Sequence, residues 1–153
     1  MSGGVWVVMV AAAAAAGASA AVQKRPLLER FAGPAAAELK LPFSEAVRVG
    51  DVLYLSGQIG LQPGTRALVA GGIVPETRQT LENVKRVLEA HGSSLDRVAK
   101  CTVFLADMTE WPRMNEVYVT FFANALPARS ALGANGLALG ARVEIECIAV
   151  VGS

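Results

Sequence analysis

The segment Ala125–Gly133, ALPARSALG, places one guanidinium, Arg129, among alanine, leucine, proline and glycine. The acidic residues nearest to it along the chain are Glu116 and Glu144. An arginine without a local carboxylate either snorkels to water or keeps its charge for an anion supplied from elsewhere. Farther on, RVEIECIAVV carries Glu144 and Glu146 two residues apart. On a strand that spacing puts both carboxylates on one face and Val143, Ile145 and Cys147 on the other. Like charges so close repel, and at least one of them requires a cation or a raised pKa. Two readings stand: a solvated edge with Arg142 nearby, or a general base with a structural partner. A hairpin-like connection would bring Arg129 to Glu144, and that pair in a small-residue pocket suits a small carboxylate and a water molecule.

Other polar residues are less specific. Ser56-Gly57 closes an apolar strand, where it serves turn chemistry or lines a pocket. Asn115 falls within a helical segment, where it caps, bridges or faces solvent. His91, the one histidine, precedes Gly92 in the last turn of a helix and reads as a cap. A zinc site built on paired histidines is thereby excluded, and a serine or cysteine triad would rest on His91 alone. Cys101 and Cys147 have no CxxC spacing; they read as two buried thiols in strands, a lone disulfide being the other reading.

The elements that must position these residues follow from period and punctuation. FSEAVRVG alternates and stops at Gly50-Asp51, after which VLYLSGQIG resumes, a β-hairpin. TRALVAGG reads as a short third strand. Pro75 then opens a helix ending at Gly92, with Thr77, Leu81, Val84 and Leu88 on one stripe. RVAKCTVFLAD is a strand with Cys101, Val103 and Leu105 on one face and Thr102 and Phe104 on the other. A second helix, capped by Thr109 with Pro112 in its first turn, presents Met114, Val117, Tyr118 and Phe121 to the core. ARSALGA and ARVEIECIAVV are the last strands. The order βββαβαββ predicts an α+β fold: one mixed sheet with two helices on one face. Apolar residues fill both parities of the last strand, so the other face is expected to be covered by further copies of the chain.

The 153 residues suffice for one compact domain, and 53% hydrophobic against 18% charged residues exclude a disordered chain. A net charge of +1 with no basic stripe argues against a nucleic-acid partner. Residues 1–23 carry no charged side chain. Their six consecutive alanines are too weakly hydrophobic for a full membrane span, while the ASA at 18–20 fits signal-peptide cleavage, which would make the protein exported or periplasmic; without cleavage it would be cytoplasmic, and an uncleaved anchor, a misassigned start or an organelle presequence are the alternatives. Residues 24–41 read as a linker, with the folded domain at 42–153.

PFSEAVRVGDVLYLSGQIG, QTLENVKRVLEAHG, VAKCTVFLADM, NEVY, PARSA and RVEIECIAV occur in the order and spacing of the Rid family, the reactive imine and enamine deaminases, also known as YjgF-like or L-PSP-type proteins. The chain resembles that family over roughly residues 42–151. The resemblance implies a chorismate-mutase-like fold and a homotrimeric barrel with active sites between subunits. It implies hydrolysis of 2-imino acids to 2-keto acids and ammonia, without a metal or organic cofactor. Carried over by position, Arg129 is the residue that grips the substrate carboxylate and Glu144 the one that positions water. Ser56, Gly57 and Asn115 line the pocket. Two positions depart from the family pattern. Phe43 stands where a tyrosine is common, which removes a hydrogen-bond donor, and Ala131 stands where a cysteine is common, which leaves more room. A non-catalytic binding or chaperone-like trimer is the alternative, and a ribonuclease the third reading.

Overall fold

A computed structural model describes residues 27–33 and 41–152; the apolar segment 1–23 and most of the segment read as a linker lie outside them. Among the described residues the strands are β1 (Leu28–Phe31), β2 (Ala46–Val49), β3 (Val52–Leu55), β4 (Gln58–Ile59), β5 (Val98–Leu105), β6 (Ala128–Gly133) and β7 (Val143–Val150). The helices are α1 (Ile73–Ala90) and α2 (Trp111–Phe121). All seven strands form one mixed sheet in the order β1-β2-β3-β7-β5-β6, with β4 also pairing β7. Only β5 and β6 run parallel; every other pairing is antiparallel.

Both helices lie on one face, as their apolar stripes require. Leu81, Val84 and Leu88 of α1 and Met114 and Tyr118 of α2 are buried against Leu53, Val103, Val143 and Ile145. The alternation of β7 carries through to burial: Val143, Ile145, Cys147 and Ala149 are buried, while Glu144, Glu146, Ile148 and Val150 occupy the open face. That face also bears Tyr54, Lys100, Thr102 and Phe104.

Several local expectations change. The stretch 24–41 contains strand β1, not linker alone, because its anchors are distant in sequence. Glu29 accepts two hydrogen bonds from Arg48 Nη2 across the β1–β2 pair, at 2.7 and 2.6 Å. Phe31 stacks on His91 with centroids 4.3 Å apart. His91 does cap α1, its N–H donating to Leu88 O, but its ring also lies 3.5 Å from Glu45 and helps to fasten β1.

TRALVAGG forms no strand; a single bridge joins Leu61 to Leu68. The buried Asn83 amide of α1 donates to the carbonyls of Ile59 and Leu61, at 2.9 and 3.0 Å, and so fastens the end of β4 to which Leu68 is bridged. Helix α1 starts two residues before Pro75, after Gly72. The turn preceding α2 is capped by Asp107, whose carboxylate accepts from the Thr109 amide and hydroxyl at 2.9 and 2.7 Å. Thr109 is therefore the capped residue.

Cys101 and Cys147 face each other across the β5–β7 pair and form a disulfide beneath the helices. The reading as two free thiols is corrected. What decides it is strand order: an antiparallel register brings to direct opposition two residues 46 apart in sequence.

Candidate active site

The hairpin expected between the two last strands is absent, because β5 lies between β6 and β7. The consequence is chemical. Arg129 is opposite Cys101 in the β5–β6 register, and Cys101 is opposite Cys147 in the β5–β7 register. Residues in register share a face, so Arg129 lies on the helix side of the sheet. Glu144 is opposite Phe104, at the other parity, on the open side. Within one chain the arginine and the glutamate occupy opposite faces.

Each half is built by different elements. On the helix side Arg129 Nη1 donates to Asn115 Oδ1 at 2.8 Å, and the guanidinium carbon lies 4.6 Å from the Tyr118 ring centroid. Asn115 and Tyr118 are three apart on α2, so one helical face supplies both. Among the described residues no carboxylate pairs with Arg129. Ala131, two residues along β6, packs against the core on the same side.

On the open side the Glu144 carboxylate lies against the backbone of Gly57, in the space that a Cβ there would fill. Only glycine admits that approach. Ser56 donates its hydroxyl to Ser44 O at 2.7 Å and its amide to Glu45 O at 3.0 Å, tying the Ser56-Gly57 corner to the segment bearing the exposed Phe43. Partial burial, and then the Glu146 carboxylate, hold the Glu144 carboxyl above its ordinary range. Arg142 does not relieve that repulsion, because its guanidinium is engaged by Glu110 at 2.7 Å.

A concavity of about 250 Å³ on the open face, lined by Tyr54, Lys100, Thr102 and Glu146 among others, contains neither Arg129 nor Glu144. Among the described residues one chain therefore presents a cation with an amide oxygen but no carboxylate on one face, and on the other a carboxyl held above its ordinary range beside a glycine corner. The helical stripe alone makes Tyr118 a core residue, and its spacing from Asn115 is the signal that it also faces Arg129.

Residues 34–151 match the Endoribonuclease L-PSP family. The chain belongs to this family, which includes the Rid and YjgF proteins. A mouse 2-iminobutanoate/2-iminopropanoate deaminase is 48% identical over 111 residues, covering 72% of this chain and 82% of that protein. Yeast Mmf1 superposes with a TM-score of 0.74 at 37% identity, covering 82% of this chain and 99% of that one. RidA from an Antarctic Psychrobacter superposes at 0.70 with 34% identity, over 83% and 100% of the two chains. The observed open sheet with two helices on one face is the architecture these Rid proteins share.

Proposed function

We propose that this protein hydrolyses reactive 2-imino acids to 2-keto acids and ammonia, at sites completed between copies arranged as a homotrimer. The observation that carries the reading is the pair of half-sites with uncompensated, opposite charge on opposite sheet faces. The apolar part of the open face, Tyr54, Leu132 and Val150, supports burial by neighbouring copies. A related protein that bears the iminobutanoate deaminase name at 48% identity supports the substrate class.

In this mechanism Arg129 of one subunit holds the substrate carboxylate in a two-point grip, with Asn115 beside it. Glu144 of the next subunit orients a water molecule over the protonated imine carbon and takes its proton as the C–O bond forms. The C=N π electrons pass to nitrogen. Protonation of that nitrogen and collapse of the carbinolamine then expel ammonia and leave the 2-keto acid, the hydroxyl proton being lost. Ser56 and Gly57 shape the water side, and Phe43 and Ala131 bound the substrate. No metal or organic cofactor is required by these steps.

The test is ammonia release from imines generated in situ from several amino acids. At least one imine should disappear faster than in buffer alone. No acceleration with any of them, together with binding of the corresponding keto acids, would establish the non-catalytic binder, a reading that the missing phenol at Phe43 favours. A ribonuclease has less support, since His91 is engaged with Phe31 and Glu45.

The Cys101–Cys147 bond fits an oxidising compartment and so supports the export reading of residues 1–23. Among the described residues no helix is long and apolar enough to cross a membrane. Protein recovered from its native host should lack residues 1–20 and contain no free thiol. Intact mass with and without alkylation reads both, and a full-length chain with two reactive cysteines contradicts export.

A further inference from the structure

Tyr118 carries two features that packing alone does not explain. Its phenol oxygen is buried and has no hydrogen-bond partner among the described residues. Its ring lies beneath a guanidinium that has no carboxylate partner among the described residues. Burial pushes the phenol pKa up to about 12, with Arg129 pulling the other way, so the group stays neutral at any physiological pH.

The manner in which an arginine is held decides what remains of it for a ligand. A carboxylate partner would neutralise the charge and occupy in-plane N–H donors. An aromatic face does neither: it attracts the cation through the ring quadrupole and leaves the edge donors free. Asn115 accepts from one Nη1 donor only, and it is neutral. Guanidinium has five N–H donors, so most of the fork stays available, with full charge and a plane steadied by the ring. Phe122 packs against the same tyrosine, centroids 4.7 Å apart.

We propose that Tyr118 is a positioning residue for ligand carboxylates: its ring, not its hydroxyl, holds the Arg129 guanidinium in place as an uncompensated two-point anion receptor. This rests on the placement of the substrate carboxylate at Arg129. Its test, however, reads binding and does not depend on turnover. The orphaned hydroxyl contributes nothing to that role, and removing a buried, unpartnered group carries no penalty.

The full-length chain is prepared with phenylalanine at position 118, and then with mono-, di- and trifluorophenylalanine there. Fluorination drains the ring quadrupole while nearly preserving shape. The affinity for 2-oxobutanoate is measured by calorimetry, and the melting temperature of each variant is recorded. Tyr118→Phe should bind within about twofold of the parent and melt at the same temperature or higher. Across the fluorinated series Kd should rise stepwise, by about tenfold in total, with no parallel fall in melting temperature. Where imine turnover is measurable, KM should follow Kd while kcat changes little. A flat Kd across the series overturns the proposal, as does a loss of affinity on Tyr118→Phe alone, which would assign the role to the hydroxyl. If imines are not hydrolysed but Kd still tracks fluorination, the deaminase reading fails and the receptor stands.

Discussion

Glu144→Gln should lower kcat for imine hydrolysis by about 10²–10⁴-fold, the range that a positioned general base contributes, while leaving 2-keto acid binding within a few-fold of the parent. The amide keeps the shape that fits against Gly57 but cannot take a proton from water. Stability provides the control. A carboxyl whose folded-state pKa is raised above its unfolded value favours the folded state below the unfolded pKa, and that advantage is lost as pH rises through the folded pKa. Above that range the ionised Glu144, partly buried beside Glu146, opposes folding. Glu144→Gln removes that opposition, so at neutral pH the variant should resist urea at least as well as the parent. In the parent, the acid limb of kcat/KM should lie above the ordinary carboxylate range, for the same cause. A variant that loses activity and stability together would make Glu144 a structural residue. One with undiminished kcat would remove it from the reaction.

That prediction depends on features that the sequence displays unevenly. Thr77, Leu81, Val84 and Leu88 fall at helical spacing, and β7 alternates at period two; both patterns are local, and both match the observed burial. The Glu144/Glu146 repulsion is legible for the same reason, since it is decided by residues two apart. Strand order is not local. Placing β5 between β6 and β7 pairs residues tens of positions apart, and nothing in ARSALGA says that its neighbour is a parallel strand. From that order follow the disulfide and the separation of Arg129 from Glu144, so the expectation that a hairpin brings those two residues together fails on strand order alone. β1 escaped for a related reason. Its composition resembles a linker, and its anchors Arg48, Glu45 and His91 lie well downstream.

The separation itself makes the sharpest experiment. Arg129→Lys keeps the charge and loses the planar fork. Hydrogen bonds to charged groups are worth about 1.5–3 kcal/mol, so kcat/KM for a carboxylate-bearing imine should fall about tenfold or more. Arg129→Ala should leave almost no activity, and Glu144→Gln very little. If each site takes its arginine from one subunit and its glutamate from the next, mixed assemblies regain what neither parent has. In a closed ring built at random from equal amounts of the two variants, about one neighbouring pair in four combines an intact Arg129 with an intact Glu144. Co-refolding Arg129→Ala with Glu144→Gln should therefore restore about a quarter of the parental specific activity, with native mass spectrometry confirming that mixed rings have formed. A site within one chain gives no recovery at any ratio, because every chain in the mixture lacks one of the two groups. Mixed rings without recovered activity would thus refute the intersubunit site. Recovery that peaks at equal ratio would show that the opposite faces of this sheet are joined, in the assembly, into one reaction centre.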